Sequence, residues 1–318
     1  MKEVNTVATY IACTIYTYII VIKRGTILKL ITQMDNEEYH TNEEYKPVKI
    51  YIEVLSKFYL YSIQCFLLIW FIVRVAWTGR CLSRKAEEGN STIVCANILC
   101  AWLPKQMDSP VIDWCIVAFS IYCLYYMAHV VTVSCIHIGS TYIAVARIQR
   151  LIRILGDIDF VAKDIRLTRH RLTQSIEFYN ETHELVQLIN DYVKVKLNPL
   201  LCYFMMFVIA ILCHKIIEDF DLLLLAAMMV WFISNIFIAL RGQDLENMCE
   251  ALNNFIYGLP WYEMHPSLIK DFQLFFARTQ KPFEISVPMN LKINMTYIHK
   301  FIKFAYTTFM YLTRIQKE

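Results

Sequence analysis

The sequence predicts an all-α, polytopic membrane protein, in which a bundle of spanning helices stands above a layer of cytoplasmic helices. Composition is the first reason for this prediction. The 318 residues are 57% hydrophobic with a mean hydropathy of +0.40, whereas a soluble domain carries roughly 45–50% apolar residues even when glycine is counted. The second reason is a series of long uncharged runs, because a helix crosses a bilayer with about 20 mostly apolar residues.

Five uncharged runs precede residue 241. Three of them exceed about 18 residues, the length typical of a spanning helix, and two reach it if Lys or Arg side chains at their ends extend to the interface. With the C-terminal helix they give six spans. The first part of the chain, 1–240, is then a transmembrane bundle with spans at about 4–22, 58–77, 114–146, 197–213 and 222–240, and 241–318 contains a cytoplasmic anchor helix and the last span.

The first run, residues 4–22, could instead be an uncleaved signal peptide. It has no basic segment before it and no small-x-small cleavage site, and its basic pair, Lys23-Arg24, follows the apolar stretch. These features favour a true span.

Lysine and arginine are distributed unevenly between the two sets of connections. The connections after the first, third and fifth runs hold twenty of these residues, and the opposite connections hold five. Since cytoplasmic loops carry the excess of Lys and Arg, the chain is predicted to start and end outside. A glycosylation sequon at Asn90 falls in the outer loop 79–113 and agrees with this orientation, although Asn180 and Asn294 lie in sequons on the inner side.

Neither nucleic acid nor a metal is expected as a partner. The net charge of +3 is too small to indicate nucleic-acid binding. The eleven cysteines contain no CxxC pair and no spacing with histidine that suits zinc. Several cysteines stand inside apolar runs, where a thiol is an ordinary packing group. We therefore expect no metal and no cofactor.

The segment between the last two predicted spans is predicted to be helical. Residues 263–279 place Met264, Leu268, Phe272, Phe275 and Phe276 on one face, which is the pattern of an amphipathic helix. Pro282 and Pro288 favour an extended stretch after it. Residues 147–196 also contain few helix breakers and read as long polar helices that continue the spans.

The last helix carries a polar stripe. The positions of this stripe are separated by three or four residues and so share one face: Thr296, Lys300, Lys303, Thr307, Tyr311 (or Met310) and Arg314. Polar residues in a span usually face a bundle interior or a water-filled cavity, which suggests a helix that lines a pore. Because the charges lie near the ends, a terminal span with snorkelling Lys and Arg side chains is the alternative.

Two C-terminal segments carry the most specific motifs of the chain. Residues 253–285 read NNFIYGLPWYEMHPSLIKDFQLFFARTQKPFEI and residues 301–312 read FIKFAYTTFMYL. These segments resemble the signature of insect odorant receptors, which consists of an aliphatic-Tyr dipeptide, Trp-Tyr, Arg-x-Gln-Lys-Pro, and a last span with Lys, Tyr, Phe and Leu at set positions. The matching residues here are Ile256-Tyr257, Trp261-Tyr262, Arg278, Gln280, Lys281, Pro282, Lys303, Tyr306, Phe309 and Leu312; Ala305 and Thr307 replace two family serines. Residues 23–35 and 103–114 resemble two further loops of the family.

The resemblance implies a seven-span fold and a receptor subunit that is a volatile-ligand-gated, non-selective cation channel. The expected assembly is a heterotetramer with the odorant co-receptor, in the plasma membrane of olfactory neuron dendrites. The family has a cytoplasmic N-terminus, whereas this chain begins where the family's second span would, so the first span is expected to be missing. The ligand would be a small volatile organic molecule, and no enzymatic activity is expected.

The resemblance also implies three groups of site residues. The ligand pocket would lie in the outer half of the bundle and involve Tyr10, Thr14, Trp70, Phe71, Arg74, Tyr122, Tyr126, His129, Phe207, Ile211, Met228 and Trp231. The pore would be lined by Lys303, Thr307, Tyr311, Leu312 and Arg314, with the gate at Tyr311 or Leu312. Subunits would meet at the anchor through Trp261, Tyr262, Phe272 and Phe276.

Several other protein classes fit less well. A gustatory receptor of the same fold is the nearest alternative, but the last span lacks the expected Gln-Phe after Thr296-Tyr297. A truncated receptor without function is a further alternative. A transporter would favour Gly/Pro-broken spans and buried carboxylates, whereas no predicted span here has an Asp or Glu in its core. A G-protein-coupled receptor would end in the cytoplasm, whereas this chain is predicted to end outside. His129 and His137 have no acidic partner in their run, which argues against an intramembrane enzyme.

Overall fold

The computed structural model describes most of the predicted cytoplasmic helices and the last helix. The described residues are 21–34, 45–54, 56–58, 134–161, 164–193, 222–287 and 291–315, with single positions at 14, 18, 61, 62, 64, 65, 68, 72 and 213. Within them the fold is helical apart from one short hairpin, as the all-α prediction requires.

Five helices are bounded within the described residues. Helix α1 is Arg24–Met34, α2 is Ile165–Val193, α3 is Leu222–Gly258, α4 is Pro266–Thr279 and α5 is Met295–Ile315. Residues 46–54 and 134–156 are also helical. A 3₁₀ turn, Trp261–Glu263, precedes α4. Strands β1 (Ser286–Val287) and β2 (Leu291–Lys292) pair in antiparallel fashion, with Ser286 opposite Lys292.

Helix α4 begins at Pro266, three residues later than the sequence pattern suggested. The reason is local: Trp261–Glu263 forms the 3₁₀ turn, and the His265 side chain then accepts a hydrogen bond from the Ser267 N–H at 3.3 Å, which caps the helix. Proline suits the first turn, where its missing N–H would have no helical partner. The buried side chains are Leu268, Phe272, Phe275 and Thr279.

No helix within the described residues is both long enough and apolar enough to cross a membrane. The predicted spans at 4–22, 58–77, 114–146 and 197–213 lie wholly or largely outside those residues. Helix α3 begins at Leu222, the predicted start of the fifth span, and continues without interruption past residue 240 to Gly258.

One hydrophobic core joins the helices. Its most deeply buried side chains come from α1, residues 134–156, α2, α3 and α4: Leu30, Ile148, Leu151, Leu155, Leu172, Leu185, Ile189, Leu245 and Phe275. The thiol of Cys249 is also buried there, and burial raises its pKa to about 11. It is therefore a protonated, unreactive thiol while the core is closed.

Tyr179 of α2 is at the centre of an aromatic group that holds α4. Its ring meets Phe275 edge-on at a centroid distance of 5.5 Å and stacks on Phe283 at 5.2 Å. Its hydroxyl donates to the Arg278 carbonyl at 3.2 Å. Burial raises the pKa of Tyr179 to about 12, so the hydroxyl remains a neutral donor.

Asn190, near the end of α2, binds the main chain around β1 with both ends of its amide. Its Nδ2 donates to the Glu284 carbonyl at 2.8 Å, and its Oδ1 accepts from the Ser286 N–H at 3.0 Å. Together with the buried Phe283 and Ile285, this amide fixes the chain that leads to α5.

Replacing Phe275 should be much more damaging than replacing its neighbour. Phe275→Ala should destabilise the fold by about 3–5 kcal/mol because it leaves a cavity in the core. Leu274→Ala, at a 60% exposed position on the same helix, should change stability by at most about 0.5 kcal/mol. Thermal unfolding in detergent, followed with a dye that reacts with newly exposed thiols such as Cys249, measures both. Equal midpoints for the two variants would contradict this assignment of the core.

Candidate functional site

The start of α5 is capped by Asn294. The Asn294 Oδ1 accepts a hydrogen bond from the Tyr297 N–H at 3.3 Å, the usual role of an asparagine at this position. Another N–H of the first turn, that of Met295, has no acceptor within its own helix. It donates to the Gln243 Oε1 of α3 at 3.4 Å. The Asn294 amide Nδ2 in turn donates to Glu246 Oε2 at 3.1 Å. The beginning of the last helix is thus tied to α3.

One face of α5 packs on α3. Within the described residues, its buried side chains are Tyr297, Ile298 and Phe301, which surround Ala239 of α3. The Phe301 ring lies 6.3 Å from that of Phe232. The small side chain at position 239 allows the two helices to approach closely.

The predicted polar stripe lies on the uncovered side of α5. Lys300, Lys303, Thr307, Tyr311 and Arg314 are exposed, and Leu312 is half-buried. The Thr307 hydroxyl donates to the Lys303 carbonyl at 2.8 Å. Large apolar side chains are exposed beside the stripe: Ile302, Phe304, Tyr306 and Met310. A single chain therefore leaves most of this helix open to lipid or to other subunits.

Arg241, at the end of the predicted fifth span, lies against two tyrosines. Its guanidinium is 5.3 Å from the ring centroid of Tyr51 and 5.0 Å from that of Tyr142, and it pairs with Asp244 at 3.0 Å. The two rings stack on each other at 4.8 Å. The planar guanidinium is suited to contact with aromatic faces. From the sequence, Arg241 was only one of the twenty Lys and Arg residues that indicate the membrane orientation.

Two cavities in the helical layer are bordered by described residues. One, of ≈ 280 Å³, is largely apolar and has Lys49 and Glu53 among its lining residues. The other, of ≈ 410 Å³, is more polar and lies beside Arg241, Asp244 and Asn247. The residues that line these cavities do not belong to the predicted ligand-binding set.

Most of the predicted ligand-binding residues lie outside the described residues: Tyr10, Trp70, Phe71, Arg74, Tyr122, Tyr126, His129, Phe207 and Ile211. The glycosylation candidate Asn90 also lies outside them. Thr14 is helical and exposed, and Met228 and Trp231 are positions on α3. Within the described residues, no group of three or more His, Cys, Asp or Glu side chains could hold a metal ion.

The four anchor candidates have different environments. Trp261 is 39% exposed and Tyr262 is 70% exposed. Phe272 is buried against Phe160, with centroids 6.1 Å apart. Phe276 is half-buried beside Tyr257. The first two side chains face outward, whereas Phe272 and Phe276 pack within the chain.

Three contacts were not predicted from the sequence: those of Arg241 and Asn294, and that of Gly242, where an added β-carbon would lie 1.8 Å from the Ile293 carbonyl oxygen. Two of them had local signals. Gly242 is an isolated glycine inside a helical pattern, which often marks a close approach, and Asn294 directly precedes a helix, where an N-cap is expected. The aromatic partners of Arg241 had no such signal, because they lie about 100 and 190 residues away in the sequence.

A family comparison decides the class of the protein. The family model described as 7tm Odorant receptor matches residues 1–306. The chain belongs to the odorant receptor family. This membership makes it a membrane receptor and favours the odorant receptor interpretation over the gustatory receptor, transporter and G-protein-coupled receptor alternatives. No significant match to a curated protein sequence is found.

Solved odorant receptor structures share the fold. The insect olfactory receptor OR5 from Machilis hrabei in complex with eugenol aligns with a TM-score of 0.72 at 13% identity, over 98% of this chain and 80% of that chain. The structure of the same receptor described without a ligand aligns with a TM-score of 0.69 at 11% identity, over the same shares of the two chains. The all-helical odorant receptor fold predicted from the sequence is therefore confirmed.

Proposed function

We propose that this odorant receptor is a ligand-tuning subunit of a volatile-gated, non-selective cation channel. It would work as a heterotetramer with the odorant co-receptor in the plasma membrane of olfactory neuron dendrites. The observation that carries the proposal is the environment of α5. This helix packs on its own chain through Tyr297, Ile298 and Phe301, while its polar stripe is exposed.

The exposed stripe supports a role in lining a pore. Lys303, Thr307, Tyr311 and Arg314 recur on one side of α5 with Leu312 beside them. In the heterotetramer, α5 and the corresponding helices of its partner subunits would surround one axis, which would turn the stripe toward water and leave the apolar side chains for lipid and neighbouring helices. Tyr311 or Leu312, close to the outer end, would form the constriction, because a ring of bulky side chains narrows the pore and a hydrophobic constriction gates by excluding water.

A small volatile molecule is the proposed ligand. The related receptor OR5 is described in complex with eugenol, and a pocket for a molecule of this class needs mostly aromatic and aliphatic walls. The candidate walls are the sequence-predicted positions in the outer half of the bundle. Tyr122 and Tyr126 are the central pair, because residues four apart share a helix face.

Contacts between subunits would involve the turn before α4. Trp261 and Tyr262 meet edge-on at 6.1 Å, and both expose aromatic surface together with Tyr257. Aromatic residues are enriched at protein interfaces. Phe272 and Phe276 would support this surface from inside by holding α4 in place.

Whole-cell recording tests the proposed function. Cells expressing this chain with an insect odorant co-receptor should give a cation current on exposure to a volatile panel that includes eugenol. Control cells that express the co-receptor alone should give no such current on exposure to the same volatiles. Surface labelling verifies delivery, and a delivered chain that evokes no current across the panel would contradict the proposal.

Cysteine substitution tests the pore. Thr307→Cys should make the evoked current sensitive to a membrane-impermeant, positively charged thiol reagent, with an irreversible loss of about half or more, because the bound group obstructs the pore. Phe301→Cys, on the buried face, is the matched control and should show no loss beyond that of the unsubstituted chain. Equal sensitivity of the two variants would exclude the proposed orientation of α5.

A further inference from the structure

Gly242 of α3 lies in extremely close contact with the chain that precedes α5. A β-carbon built at this position would be 1.8 Å from the Ile293 carbonyl oxygen and 3.0 Å from its carbonyl carbon. Atoms cannot approach so closely, so any side chain here would displace residue 293. The obstacle is main chain and not the end of a flexible side chain, so the start of α5 would have to move.

Two further residues of the same turn bind the start of α5. Gln243 accepts from the Met295 N–H at 3.4 Å, and Glu246 accepts from the Asn294 amide at 3.1 Å. Asn294 is 9% exposed and also caps the helix through Tyr297. The beginning of α5 is therefore fixed by one steric contact and two hydrogen bonds.

The same turn also contacts the rest of the helical layer. Arg241 lies against the stacked rings of Tyr51 and Tyr142, which belong to helical residues 46–54 and 134–156. Asp244 holds the guanidinium in place at 3.0 Å. Successive residues of an α-helix are rotated by about 100° around its axis. The face with Arg241 and Asp244, which meets the tyrosines, is therefore centred roughly 150° from the face with Gly242 and Glu246, which meets the start of α5. The two sets of contacts thus lie on nearly opposite sides of the same short stretch of helix, residues 241–246, which is about 1.7 turns long.

We propose that residues 241–246 of α3 are a coupling joint, which transmits movement between the Tyr51/Tyr142 pair and the start of α5. A helical turn is rigid because its backbone is hydrogen-bonded, so rotation or translation of α3 shifts both contact faces together. Movement on the tyrosine side must then change the position of Asn294. The functional meaning of this joint rests on the proposed pore-lining role of α5, whereas the mechanical coupling does not.

The first test compares two glycine substitutions in α3 by hydrogen–deuterium exchange of the purified full chain in detergent. Gly242→Ala should speed exchange of the amides of residues 295–299 by about tenfold, because an inserted methyl forces the backbone apart. Gly258→Ala is the matched control, since a β-carbon there has no atom within 4 Å. Unchanged exchange at 295–299 in Gly242→Ala would overturn the proposal.

The second test exchanges donor and acceptor between Glu246 and Asn294. Asn294→Asp keeps a good N-cap but has no N–H for Glu246, so exchange at 295–299 should be about fivefold faster. Adding Glu246→Gln supplies an amide donor to the new carboxylate and should return the rate to within about twofold of the original. A double variant that exchanges as fast as Asn294→Asp would overturn the assignment of this bond.

The third test addresses transmission from the opposite face. Arg241→Lys keeps the charge but loses the planar contact with the two rings. Although Arg241 is on the tyrosine face, this change should speed exchange at 295–299 by about threefold. Arg166→Lys at an exposed position on α2 is the control. A change confined to the surroundings of Tyr51 and Tyr142 would overturn the coupling.

Current recordings separate this inference from the proposed function. If the unsubstituted chain gives an evoked current, Asn294→Asp should alter the basal current, and the double variant should restore it. An unaltered basal current would then overturn the role of the joint in gating. If the unsubstituted chain gives no current, the channel proposal fails, while the exchange measurements still decide the coupling.

Discussion

The packing of α4 between α2 and α3 is the constraint on which the C-terminal part of the molecule depends. Phe275 meets Tyr179 of α2, and Phe276 lies beside Tyr257 of α3. Thr279 adds a hydrogen bond to Asn253 of α3 at 3.4 Å. Because these contacts fix the end of α4, the chain enters the hairpin at a defined place, and α5 begins where α3 can cap it.

The local elements of this region could be predicted from the sequence, and its long-range contacts could not. The spacing of Leu268, Phe272 and Phe275 predicts the buried face of α4, and the polar stripe of α5 appears in its periodicity. The pairing of Asn190 with Glu284 joins residues 94 positions apart. No periodic pattern encodes such a pairing, because it depends on where the packed helices bring the two segments.

The basic residues that indicate membrane orientation also have structural roles. Arg147 is 7% exposed, pairs with Glu181 at 2.6 Å and lies 4.8 Å from the Phe178 ring centroid. Arg150 lies 5.4 Å from the same ring. These contacts join residues 134–156 to α2. The distribution of these basic residues along the sequence therefore predicts the membrane orientation. It does not predict the contacts of Arg147 and Arg150, because burial and ring contacts depend on tertiary structure.

The amide of Asn190 has an evolutionary consequence. It bonds only main-chain atoms of Glu284 and Ser286, and every residue type except proline offers the same carbonyl and N–H groups. Mutations at 284 and 286 can therefore accumulate without loss of this link. A single amide at position 190 would therefore allow the side chains of the hairpin surface to change while the route of the chain into the last helix stays the same.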